Sequence, residues 1–332
     1  IDKNVQILMY HHINMSNTPK DVKQTIEEYL KSFKDESLHK EVAFFGGSFT
    51  GIEQEKQKEL LEAAYEFIKT KQIQSIRIST RPDYIDKEKL KLLKKYGVKS
   101  IELGVQSTND YILKKCKRGH TFEDVKKASK LIRRHGFILG HQMMIGLPES
   151  TKIDELNTAK DLAKLRPKIV RLYPVLVIKG TELEKEYQNG EYEPSPLLQA
   201  VERCKELYYF FTNKKITVIR MGLQNTDIIS NPKNAKSEVV AGPYHEAFGQ
   251  LVEDALWYAK IAHEIKKINS NVIKVELEVN PQDINNVVGH KKENIKKLKE
   301  TYAVVVEPKI NSNIRPGKLK VKIVEKYNKN IP

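Results

Sequence analysis

Six times between residues 5 and 220, a short run of β-forming apolar residues gives way to a helical stretch. Strands are expected at 5–10, 42–45, 76–80, 100–105, 137–145 and 169–174, with 218–221 as one more short strand. The intervening helices carry their own start and stop signals. Thr18-Pro19-Lys20-Asp21 supplies an N-cap, a first-turn proline and an early acid. Asp86 and Thr121 cap two further helices, which stop at Gly97 and Gly136. Alternation of this kind predicts a parallel sheet with right-handed helical crossovers. Six units are too few to close the eight-unit barrel. The expected fold class is therefore α/β, an open partial (βα)6 TIM-like barrel, with a small α+β module at the C-terminus.

Turn residues gather where strands end: Gly46-Gly47, Thr80-Arg81-Pro82, Gln106-Ser107, Gly146-Leu147-Pro148 and Tyr173-Pro174. The carboxyl edge of a parallel sheet is where α/β proteins bind ligands. Gly46-Gly47, between the apolar run Val42–Phe45 and a helix at 53–69, lets backbone approach a ligand closely. A tight connection without a ligand is the other reading of that glycine pair.

The chain has 332 residues, enough for one large α/β domain and a smaller one. No apolar run is long enough to span a membrane. No basic-then-apolar leader opens the sequence, which begins at Ile1 rather than Met, so native residues are expected to precede it. Cys116 and Cys204 are the two cysteines, far apart and in no motif; they point to a reducing, cytoplasmic compartment and to no metal site. The net charge of +15 points to an anionic partner, nucleic acid first, or to lysine-rich solvated faces.

Composition shifts near residue 271. The expected divisions are 1–225 for the barrel, 226–270 for a connecting loop and helix, and 271–332 for a basic module. That module has 13 Lys and Arg against 7 Asp and Glu, arranged β-α-α-β-β. Its helix–helix turn is Gly289-His290-Lys291-Lys292. A turn of that kind clamps nucleic-acid backbone in KH modules, although the second glycine of GXXG is missing here. The expected RNA contacts are Lys291, Lys292, Lys296 and Lys297, assisted by Lys114, Lys115, Lys117 and Arg118. A small structural module with a solvated basic face is the alternative.

Six motifs then fall in one order: Phe45-Gly46-Gly47-Ser48-Phe49-Thr50, Thr80-Arg81-Pro82-Asp83, Glu102-Leu103-Gly104-Val105-Gln106-Ser107, Arg118-Gly119-His120-Thr121, Gln142-Met143-Met144-Ile145-Gly146-Leu147-Pro148, and Leu172-Tyr173-Pro174 running on to Lys179-Gly180-Thr181. Over roughly 40–225 the chain resembles the radical S-adenosylmethionine (SAM) core of the Elongator catalytic subunit and its bacterial relatives, without their acetyltransferase domain. The resemblance implies SAM as cofactor, its methionine end held by Gly46, Gly47 and Ser48. It implies ribose and adenine contacts at Thr80, Arg81, Gln106 and Gln142, with Tyr173 nearby. Plain readings stand beside these: Arg81 pairing with Asp83, Gln106 capping the next helix, Glu102 and Gly104 as barrel interior.

The resemblance also implies a [4Fe–4S] cluster on a CxxxCxxC loop after the first strand. That loop falls at 8–18, which holds no cysteine. His11 and His12, adjacent in sequence, point to opposite sides of a strand and make a poor metal pair. The catalytic residues stay unassigned. The expectation is a radical SAM-fold protein with an RNA-type substrate such as a tRNA, inactive as written; the alternative is a non-catalytic RNA-binding protein that keeps the barrel as a scaffold.

Overall fold

The computed structural model describes residues 5–7, 18–33, 38–226, 228–268 and 272–326. In chain order the elements are β1 (Val5–Ile7), α1 (Pro19–Ser32), β2 (His39–Phe44), α2 (Gln54–Lys69), β3 (Ser75–Thr80), α3 (Lys87–Lys95), β4 (Val98–Gln106), α4 (Asp110–Lys115), α5 (Phe122–Arg134), β5 (Ile138–Ile145), α6 (Lys152–Lys164) and β6 (Ile169–Pro174). There follow β7 (Val177–Ile178), α7 (Glu182–Gln188), α8 (Leu197–Asn213), β8 (Thr217–Met221), β9 (Val239–Ala241), α9 (Phe248–Lys267), β10 (Val272–Val279), α10 (Ile284–Val288), α11 (Glu293–Tyr302), β11 (Val305–Ile310) and β12 (Leu319–Lys326). Two compact units form: 1–175 with 207–221, and 176–206 with 222–332. No helix among the described residues is long and apolar enough to cross a membrane.

The first unit is the expected α/β partial barrel. Its sheet has the order β1-β2-β3-β4-β5-β6-β8, every neighbouring pair parallel. The short strand at the end of the expected series is real, which makes the sheet seven-stranded. Capping chemistry starts the helices where the sequence places them. Thr18 with Asp21, Thr121 with Asp124 and Thr151 with Asp154 form reciprocal capping boxes. Ile76, Ile78, Ile101, Leu103, Leu139, Val170 and Leu172 are fully buried and make the strands' apolar core.

In the second unit, β11-β10-β12 form a three-stranded sheet, with β10 parallel to β11 and antiparallel to β12. Val275, Leu277 and Val279 alternate onto the face that packs against Trp257 and Ile261 of α9 and Leu298 of α11. The stretch read from sequence as a connector thus supplies one wall of this core. The loop part of the expected 226–270 connector contains β9, which pairs antiparallel with β7.

Candidate functional site

On β3 and β4 the alternate residues that face away from that apolar core, Arg77, Ser79, Ser100, Glu102, Gly104 and Gln106, are polar, charged or glycine, and Glu41, Gln142 and Arg171 join them from β2, β5 and β6. Their charged members form one buried network. The Arg77 guanidinium on β3 donates to Glu41 on β2 through Nε at 2.7 Å and to Glu102 on β4 through an Nη at 3.0 Å. Arg171 on β6 donates a further Nη hydrogen bond to Glu102 at 3.0 Å. Gln142 on β5 donates to Glu102 at 3.0 Å and to Ser79 at 3.2 Å. Glu102 and Arg171 are fully buried. Burial acts to raise the Glu102 pKa, but Arg171 and Arg77 outweigh it and hold the carboxyl below its usual range. Gly140 makes room for this side chain, because a Cβ there would lie 2.7 Å from Glu102 Cγ.

The network reaches the strand ends through Arg171, whose guanidinium stacks 4.7 Å from the Phe45 ring centroid. Phe45 precedes the glycine turn. Gly46 takes φ +95°, the left-handed region that glycine tolerates. Open space surrounds the Cβ position of Gly47, and both glycines are exposed. Ser48 is half-buried and leads into a single 3-10 turn. Thr80, at the end of β3, shares a 2.6 Å hydroxyl–hydroxyl hydrogen bond with Thr50.

Gln106, at the end of β4, is a buried non-glycine residue at φ +68°, and its Oε1 has no hydrogen-bond partner. It does not cap the next helix; Asn109 does. Arg118 stands close by: the Cβ position of Gly104 lies 3.1 Å from the Gln106 amide nitrogen and 3.7 Å from an Arg118 Nη. Arg118 Nε is buried and unpartnered. Burial first, then the cation of Arg81, pull the Arg118 guanidinium below its usual pKa. Arg81 itself is engaged, donating to both carboxylate oxygens of Asp83 at 3.0 and 2.7 Å and stacking on Tyr84. Tyr173, half-buried at the end of β6, has its phenol pushed up by burial.

The carboxyl ends of β2, β3, β4 and β6 therefore carry Gly46, Thr80, Gln106 and Tyr173, while Gln142 sits deeper, in the ionic network. Arg118 departs from its sequence neighbours. Lys114, Lys115 and Lys117 are exposed, while Arg118 turns inward beside Gln106. Charge density alone groups the four cations; the glycine at 104 was the one sequence signal of a nearby close approach.

SAM fits this donor set. The glycine turn offers backbone to a zwitterion, and Arg118 Nε and Gln106 Oε1 are buried polar atoms without a partner on side chains that both approach Gly104. The cluster does not fit the described residues, where no group of three or more His, Cys, Asp and Glu could hold a metal ion. The loop at 8–18 lies outside them apart from Thr18.

In the second unit, the turn after α10 is held from α9. His290 N–H donates to Asp254 at 2.8 Å, and Asn294 donates to the Asp254 and Asn286 carbonyls. Gly289, Lys291 and Lys292 all take positive φ. Lys291, Lys292, Lys296 and Lys297 are exposed, with Lys297 3.5 Å from Glu293.

The Radical SAM superfamily profile matches residues 10–162, and the Radical_SAM C-terminal domain profile matches 167–258. A tRNA uridine(34) acetyltransferase of Methanocaldococcus jannaschii is 38% identical over 128 residues, which is 38% of this chain and 24% of that protein. Human Elongator complex protein 3 is 35% identical over 40% of this chain and 25% of its own length. An uncharacterized protein of M. jannaschii is 34% identical over 52% of this chain and 54% of its own. The chain thus spans between a quarter and about half of these relatives. Among solved structures, Elp3 of Methanocaldococcus infernus lacking its first residues superposes with a TM-score of 0.63 at 26% identity, covering 80% of this chain and 64% of that one. The ordered motifs, the partial barrel and the two adjoining domain matches agree: the chain belongs to the radical SAM superfamily, with a core resembling the Elongator catalytic subunit.

Proposed function

We propose that this chain binds SAM at the carboxyl edge of its parallel sheet and recognises RNA. The observation that carries the SAM reading is the pair of buried, unpartnered polar atoms, Arg118 Nε and Gln106 Oε1, on two side chains that both approach Gly104. A guanidinium with a buried, unpartnered N–H is costly unless a ligand completes it. Arg118 then pairs with the methionine carboxylate, the Gly46-Gly47-Ser48 backbone holds the amino-acid end, and Thr80, Gln106, Gln142 and Tyr173 serve the ribose and adenine. Arg81 acts through Asp83 as a wall of the site. When bound to a reduced cluster, SAM supplies radical chemistry in this superfamily; this chain's residues bind and orient it.

RNA as the substrate class rests on the basic charge and on the tRNA-directed names of the relatives. The turn at Lys291 and Lys292, with Lys296 and Lys297, contacts backbone phosphates in a KH-like manner, and Lys114, Lys115 and Lys117 assist. The isolated cysteines suit the cytoplasm.

The absence of cysteine at 8–18 favours a second reading, a SAM- and RNA-binding scaffold that does not turn over. Iron and sulfide analysis after anaerobic reconstitution separates the two. The scaffold reading predicts sub-stoichiometric iron and no reducible cluster signal, with SAM binding retained. A full, reducible [4Fe–4S] signal contradicts it.

A further inference from the structure

At the amino ends of β5, β6 and β8, opposite the SAM edge, lies a cavity of about 460 Å³. Five cations line it: Arg133, Arg166, Lys168, Lys214 and Lys215, with no carboxylate among the lining residues. Its floor is apolar, from Phe137, Leu139 and Ile216.

These cations gather around one cavity without counter-charge. Some surface lysines elsewhere pair with an acid one helical turn away, as in Lys58–Glu55, Lys89–Asp86, Lys126–Glu123 and Lys164–Asp161. None of the five has an Asp or Glu three or four positions away in sequence. Among the described residues, the one hydrogen bond from the five side chains is Arg133 to the Leu165 carbonyl, at 3.3 Å. The nearby acid Asp161 is already engaged by Lys164 and Thr108.

A plainer role is available to them. α5, α6 and α8 end at this rim, and cations are favourable near helix C-termini. Arg166 and Lys215 close α6 and α8 at φ +56° and +58°, where glycine is the usual residue. Lys71 does the same after α2, outside the cavity, so the conformation alone does not argue for a ligand. Five like charges around one concavity with no acid do, because their mutual repulsion is relieved by a polyanion. The two guanidinium forks and three ammonium groups match phosphate oxygens.

We propose that this cavity binds the phosphodiester backbone of RNA, as a contact separate from the Lys291–Lys292 turn. The proposal rests on the RNA reading above. It is tested on the full chain with a fluorescently labelled tRNA-length transcript, by anisotropy across a KCl series. The variant Arg166→Gly with Lys215→Gly removes two cations and puts glycine where φ is positive. Its melting temperature should hold or rise. RNA affinity should fall at least about 10-fold near 0.1 M salt, and the log–log salt slope should shrink by about 1.5 to 2. Lys168→Gln with Lys214→Gln, which leaves both positive-φ positions untouched, should weaken binding in the same direction. If wild type binds RNA and both variants bind it with unchanged affinity and slope, the cations serve the helix ends and the cavity proposal falls alone. If wild type binds no RNA, the RNA reading falls and takes this proposal with it.

Discussion

The two sheets place similar side chains in opposite circumstances. In the seven-stranded sheet, Glu41, Arg77, Glu102 and Arg171 are all buried and hydrogen-bonded to one another. In the three-stranded sheet, Lys274 meets Glu307 at 2.6 Å and Lys309 meets Glu276; Glu307 and Lys309 are exposed, Lys274 and Glu276 half-buried. Both are cross-strand ion pairs on the face away from an apolar core. In the small sheet, solvent reaches one member of each pair and the pairing contributes little. In the large sheet every member is buried, so each charge depends on its partners. A parallel sheet that keeps charge inside needs those partners set to close tolerance. Through Arg171 and Phe45 the network meets the glycine turn at the carboxyl edge of the sheet.

The largest effect expected from this contrast is in Arg171→Met. It leaves Glu102 with one guanidinium instead of two and should cost about 3–5 kcal/mol, read by urea unfolding. A loss under 1 kcal/mol would mean that water reaches the network. Gly140→Ala comes next. Its Cβ would meet Glu102 Cγ at 2.7 Å and Ile169 Cγ1 at 2.9 Å, so about 1–3 kcal/mol of overpacking is expected. An unchanged melting temperature there would show that the sheet yields freely.

Acid provides the third break. The Glu102 pKa is lowered from an ordinary 4.5 in the folded state, so its stabilisation is fully present above 4.5. It is lost as pH falls from there through the depressed folded value. Stability measured from pH 7 downwards should therefore hold to about 5 and then drop, with a shallower acid limb in Glu102→Gln. A parallel limb in that variant would remove Glu102 from the account. The smallest effect is in the other sheet: Lys274→Gln should change stability by at most about 1 kcal/mol, and less at high salt. A larger loss would erase the contrast.

Much of this was legible in the sequence. Strand–helix alternation gave the parallel sheet, and capping signals such as Thr121-Asp124 marked helix starts because those interactions are local. The glycine turn and the strand-end positions of Thr80, Gln106 and Tyr173 were visible as motifs. The ionic network was not. Arg77 between Ile76 and Ile78, or Arg171 between Val170 and Leu172, reads as one solvated face of an alternating strand. Only tertiary closure shows that face to be buried. Arg118 was hidden by its neighbours Lys114, Lys115 and Lys117, since a run of cations gives no sign that one turns inward. The cavity at the amino ends of the strands was invisible because Arg133, Arg166 and Lys215 come from three separated helix ends.

The central claim is that the carboxyl edge of the parallel sheet is a SAM site completed by the Arg118 cation. Isothermal titration of SAM into wild type and Arg118→Met tests it, with decarboxylated SAM as the second ligand. Wild type should bind SAM and Arg118→Met should bind it about 10- to 100-fold more weakly, the worth of a charge-assisted hydrogen bond of about 1.5–3 kcal/mol. Decarboxylated SAM should bind both proteins alike. Equal SAM affinity in wild type and variant, or no SAM binding by wild type, would contradict it.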